Sequence, residues 1–129
     1  SDDLNDKKIK NLKLNVSAPF HCKYMKTASE KMTGYINDLK MKDLEKPIIS
    51  NVTANEISSP KEIKSLLILQ IEKRVRWLES VEYMINNGIK NFVEIGPGKV
   101  LSGLIKRINK NVKVNSINNE EDIKLLING

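Results

Sequence analysis

Segments with a two-residue apolar period alternate along this chain with segments whose apolar residues recur every three or four positions, and the links between them are short. Strands that alternate with helices in this way imply an α/β layered sheet, mostly parallel. The 129 residues leave room for one domain of ordinary size and none for a second.

The pattern begins in Lys8–Val16, where Leu12, Leu14 and Val16 stand two apart and predict a half-buried strand. Ser17-Ala18-Pro19-Phe20 breaks it, because proline cannot donate to a ladder. From Tyr24 to about Met41, one helical stripe is formed by Met25, Ala28, Met32, Ile36 and Leu39. Pro47–Val52 predicts a short strand. The next helix has the sharpest start in the chain, with Ser59 at the N-cap, Pro60 in the first position and Glu62 completing a capping box. Its inner face is Ile63, Leu66, Leu67 and Ile71, with the polar Gln70 on or beside it. Trp77, Leu78, Val81, Met84 and Ile85 mark a further helix, ended at Asn86-Asn87-Gly88 by a left-handed cap. Phe92–Ile95 reads as a strand, followed by Gly96-Pro97-Gly98 and a helix with Val100, Leu101, Leu104, Ile105 and Ile108 facing in. Lys99, Lys106 and Lys110 face out. A strand at Val112–Ile117 and a helix at Glu120–Ile127 close the pattern.

The net charge of +6 is a poor guide to function. Of the 22 basic residues 19 are Lys, and they accompany 15 Asn and 16 Ile, a set that A/T-rich codons produce without a selected partner. Readers of nucleic acid favour Arg and stacking aromatics, and aromatics make up only 5% here, so no nucleic-acid partner is expected. No apolar run approaches the roughly 20 residues of a membrane helix, and Ser1–Lys10 lacks a signal-peptide core. One Cys and one His exclude a disulfide framework within the chain and the usual zinc clusters, and they point to a reducing compartment.

His21, the only histidine, follows the Pro-Phe turn at the end of a predicted strand, where catalytic side chains gather in α/β sheets. A neutral imidazole there can take a proton near pH 7, although a lone histidine is more often a surface or packing residue. Cys22 lies next to it in an extended segment and so points to the opposite side, which makes it a packed residue rather than half of a dyad. Glu94-Ile95-Gly96-Pro97-Gly98 runs from strand to helix and could offer backbone N–H groups to an anion. It lacks both the GxGxxG pattern and the Lys-Ser/Thr ending of a phosphate loop, so it reads as a tight structural turn. Glu94 could be a catalytic carboxylate, but no second carboxylate is placed to work with it. No G-x-S-x-G elbow occurs, so a candidate base exists without an activated serine.

Four segments in order resemble the malonyl-CoA:acyl-carrier-protein transacylases. They are Val16-Ser17-Ala18-Pro19-Phe20-His21-Cys22 with Met25-Lys26, then Ile49-Ser50-Asn51-Val52-Thr53-Ala54, then Gln70 with Val75-Arg76-Trp77-Leu78-Glu79-Ser80-Val81, and finally Glu94–Leu104. One departure is Arg74, where that family usually has Pro; a local backbone change without loss of function is expected.

The resemblance implies ping-pong transfer of malonyl from coenzyme A to a carrier protein's phosphopantetheine through a serine acyl-enzyme. His21 would be the general base, oriented by the backbone carbonyl of Gln70, and Phe20 would stand beside the acyl pocket, favouring malonyl over branched units. No metal or resident cofactor is implied; malonyl-CoA is a substrate, the acyl carrier protein is the partner, and the expected location is cytoplasmic. The implied fold is α/β: residues 1–17 end a ferredoxin-like small subdomain, and residues 18–129 form the C-terminal part of an α/β-hydrolase-like core. The oxyanion segment, the serine elbow and the malonyl-binding arginine of the family's N-terminal half are not in this sequence. The chain alone is therefore expected to be inactive without that missing half. The alternative is a stand-alone module that binds an acidic carrier protein through Lys99, Lys106 and Lys110, without catalysis.

Overall fold

The computed structural model describes Lys7 and residues 19–128, so the expected strand in Lys8–Val16 lies outside the described residues. Past a bend at Phe20–Cys22, a 3₁₀ turn, Lys23–Met25, leads into α1, Lys26–Asp38. This helix ends three residues sooner than its apolar stripe predicts, because Leu39 takes an extended backbone (ψ 128°). Ile36 is buried as expected, whereas Met32 and Leu39 stay exposed and Ser29 is buried in the stripe. Helix α1 packs along α2, Pro60–Glu72.

Between these helices the expected strand shrinks to β1, Ile48–Ile49, paired antiparallel with β2, Glu56–Ile57, a strand that the apolar period does not announce. Ser50 organises the turn between them. Its hydroxyl accepts the N–H groups of Val52 (3.1 Å) and Thr53 (3.5 Å), and its carbonyl accepts that of Ala54 (2.8 Å). Ala54 is buried with a left-handed φ of 58°. Helix α2 begins with Pro60 in its first position, but the Ser59 side chain makes no capping bond, so the expected capping box does not form. The Ser59 main-chain carbonyl instead accepts Ile63 N–H (3.0 Å) as the first helical bond. Ile63 is buried, and Leu66, Leu67 and Ile71 are partly so.

Helix α3, Trp77–Asn86, ends as its sequence predicts. Gly88 takes a φ of 89°, and the N–H groups of Gly88 and Ile89 return to the carbonyls of Ile85 and Met84, each at 3.0 Å. A residue with a Cβ is disfavoured in that conformation. The strands β3, Asn91–Ile95, and β4, Lys113–Ile117, pair in parallel across helix α4, Val100–Ile108, and α5, Glu120–Asn128, closes the described chain. The core forms where this unit meets α3: Val81 is completely buried among Phe92, Ile105 and Val112, with Trp77, Met84, Ile85, Ile108 and Val114 packed around it. Val100 and Leu101, expected to face in, stand exposed in the first turn of α4. No helix among the described residues is long and apolar enough to cross a membrane.

Val81→Ala should lower stability by about 2 kcal/mol through lost burial and an unfilled cavity, read as a reduced urea midpoint at unchanged slope.

Candidate active site

The chain bends sharply at His21, whose φ of 57° is left-handed, a conformation that histidine adopts more readily than most residues. The Cys22 thiol donates to the Pro19 carbonyl (3.0 Å) and the Cys22 carbonyl accepts Met25 N–H (2.9 Å), so both sides of the bend are held. Cys22 is thus occupied locally. The bend carries the imidazole to the C-terminal end of α2, where His21 Nδ1 lies 2.7 Å from the Gln70 carbonyl oxygen. A carbonyl only accepts, so Nδ1 carries the proton; the neutral ring then keeps its lone pair on Nε2, free to take another.

Gln70 can accept this bond because its helix stops. Lys73 N–H makes the last return, to Leu69 (3.0 Å), and the Lys73 backbone then turns extended (φ −92°, ψ 148°). Arg74, whose N–H would have claimed the Gln70 carbonyl in a longer helix, lies outside it. A proline at 74 would leave the same carbonyl free by having no N–H at all, so Arg74 preserves the vacancy by another route. The Gln70 side chain is held as well, its Oε1 accepting from Asn51 Nδ2 at 3.3 Å.

Arg76 fastens this corner to α3. Its N–H donates to the Asn51 carbonyl (2.9 Å), its Nη1 to the Thr53 carbonyl (2.9 Å) and its Nε to Glu79 (3.1 Å). Arg74 Nη2 reaches the same Glu79 oxygen at 3.1 Å. The backbone N–H at Glu79, followed by the Arg76 guanidinium, holds that carboxyl below the usual glutamate range. The structure therefore brings the His21 ring and the Gln70 carbonyl together. Phe20, the residue before His21, has 58% of its surface exposed. Asn51 and Arg76 are drawn in although sequence reading gave neither a role; their presence in two of the four resembling segments was the available signal.

The Gly96-Pro97-Gly98 turn holds no open anion cradle. Both glycines take left-handed φ values, 137° and 98°, and the anion at the start of α4 is the chain's own: Glu94 accepts the N–H groups of Leu101 (3.0 Å) and Ser102 (2.8 Å). Ser102, through its side chain first and its backbone second, holds the Glu94 carboxyl below the usual range. Glu94 is a structural cap. Lys106 is exposed, but its ammonium donates to the carbonyls of Lys110 (3.4 Å) and Val112, tying the α4 end to β4 rather than standing free.

No family model matches the chain. The malonyl CoA-acyl carrier protein transacylase of Staphylococcus aureus strain COL is 44% identical to it over 111 residues, covering 86% of this chain and 36% of that protein. The acyl-carrier-protein S-malonyltransferase of Bartonella henselae superposes on 98% of this chain and 41% of its own with a TM-score of 0.91 at 37% identity. A malonyl-transacylase, PlMCAT, solved in complex with the type II PKS acyl-carrier protein AntF, superposes on 99% of this chain and 42% of its own with a TM-score of 0.89 at 33% identity. The α/β fold is that of acyl-transferring enzymes, the malonyltransferases. By sequence and fold the chain belongs with the malonyl-CoA:acyl-carrier-protein transacylases and corresponds to their C-terminal portion. It spans 36% of the length of the curated relative.

The Glu94 cap gives stability a pH dependence of known sign. Its folded-state pKa lies below the unfolded value, so the contribution is complete above the unfolded carboxylate range and is lost as pH falls through the folded value. The urea midpoint should therefore drop on acidification, with Glu94→Gln lowering the midpoint at neutral pH and flattening the drop. A Gln variant with wild-type pH dependence would exclude the cap.

Proposed function

We propose that this chain is the base-carrying part of a malonyl-CoA:acyl-carrier-protein S-malonyltransferase, in which residues 18–129 complete an α/β-hydrolase-like core and residues 1–17 end a ferredoxin-like subdomain. The observation that carries the reading is the 2.7 Å bond from His21 Nδ1 to the Gln70 carbonyl. It fixes the tautomer a general base needs, without a carboxylate. In the proposed reaction His21 Nε2 removes the proton of a serine hydroxyl as that oxygen attacks the malonyl thioester. The proton then passes to the departing coenzyme A sulfur. In the second half Nε2 takes the proton of the phosphopantetheine thiol, whose sulfur attacks the malonyl-serine ester, and returns it to the serine oxygen. Phe20 stands next to the base in sequence, and there it would crowd a branched acyl group; one methyl group is worth about 1–3 kcal/mol of discrimination.

The serine, the oxyanion donors and the malonyl-binding arginine would come from polypeptide outside this sequence, and the reading needs no metal or resident cofactor. Support comes from the β3 face turned away from α4, where Val93 and Ile95 are 43% and 81% exposed. Parallel sheets are normally covered on both faces. The acyl carrier protein is the proposed partner, by analogy with the PlMCAT complex, and the cytoplasm the proposed location. A module that only bound the carrier would have no use for the protonated Nδ1 and free Nε2 of His21.

Purified chain should transfer no malonyl from malonyl-CoA to holo carrier protein. Supplying the N-terminal portion of a homologous transacylase should restore transfer, and His21→Ala should reduce the restored rate by about 100-fold or more. Transfer by the chain alone at the rate of an intact enzyme, or a restored rate indifferent to His21→Ala, defeats the reading.

A further inference from the structure

The second resembling segment, Ile49–Ala54, has no part in the chemistry above, yet it places Asn51 against Gln70. We propose that Asn51 is a positioning residue for His21, acting through the side-chain amide of Gln70. The proposal rests on the reading that His21 is a base held by the Gln70 carbonyl.

Gln70 makes two bonds in two directions. Its main-chain oxygen takes the His21 proton, and its side-chain oxygen takes a proton from Asn51 Nδ2. The main-chain oxygen belongs to the last turn of α2, where no helical N–H fixes it and where helices fray. The side-chain bond supplies the missing restraint, because it ties the residue to a fixed support. Asn51 is that support: its carbonyl is taken by Arg76 N–H, and its turn is closed by the Ser50 hydroxyl and carbonyl. The Arg76 guanidinium then joins the Thr53 carbonyl to Glu79 on α3. Orientation thus passes from α3 through Arg76, Asn51 and Gln70 to the imidazole. The terminal amide of Asn51 provides the donor at the short reach available, and an apolar residue there would leave Gln70 Oε1 without this partner.

The chain contains a single histidine, so its imidazole ¹⁵N resonances report His21 alone. In the labelled wild-type chain, at a pH where the ring is neutral, the Nδ1–H tautomer should predominate. A wild-type ring dominated by Nε2–H would overturn the base-orientation reading itself, and this proposal with it. Given the expected wild-type ring, Asn51→Ala should lower the ratio of Nδ1–H to Nε2–H about three- to tenfold, the range set by one net hydrogen bond. Gln70→Met, which keeps the carbonyl and removes only the amide, should do the same, and the double variant should go no further than either single one. Far-UV circular dichroism establishes that each variant is folded. An unchanged ratio in folded Asn51→Ala, or additive effects in the double variant, overturns the proposal while leaving the His21–Gln70 bond standing. If Asn51→Ala does not fold, Gln70→Met decides alone: a lowered ratio supports the proposal and an unchanged one overturns it.

Discussion

A carbonyl at a helix end that no amide claims must find another donor, and the site is arranged around one such group. Helix α2 makes its last return from Lys73 to Leu69, and the turn at Lys73 leaves the Gln70 oxygen facing out of the ladder. His21 fills the vacancy, and in doing so fixes which ring nitrogen bears the proton. The left-handed backbone at His21 is the strain this costs, of order 1 kcal/mol, and the bonds on either side of the bend hold it in place.

Three charged residues, at this corner and in the β3–β4 unit, fasten pieces of backbone. Arg76 joins the Ser50–Ala54 turn to α3, Glu94 closes the start of α4, and Lys106 draws the end of α4 to β4. These groups are spent within the chain and are not available to a partner. What remains open to solvent is apolar as well as basic: Val93, Ile95 and Val100 stand out from a two-stranded parallel unit that is too small to cover both of its faces.

Residues that act over three or four positions were legible in advance. Gly88 ends α3 because only a left-handed residue closes that cap, and Pro60 starts α2 because its missing N–H costs nothing there. The apolar stripe of α3 with the strand at Phe92 and the helix at Ile105 gave the core. The hairpin partner β2 was not legible, since two residues carry no period and the turn that pairs them is closed by hydroxyl and main-chain bonds of Ser50 that many polar residues could make. The unformed capping box at Ser59 has the same origin: the residue types permit that bond, but the Ser59 side chain makes no capping bond.

Among the described residues, the sequence by itself determined the order of the helices and of every strand but β2, the glycine turns, the single candidate base and, through four segments in order, the family. Periodicity and backbone chirality act locally, so these are written into neighbouring residues. Only the tertiary structure decided that Glu94 is a cap rather than a reactant, that Lys106 is tethered, and that His21, Asn51, Gln70 and Arg76 form one connected corner. Those facts depend on bonds about 3 Å long between residues up to 49 positions apart, and no local pattern encodes a distance of that kind.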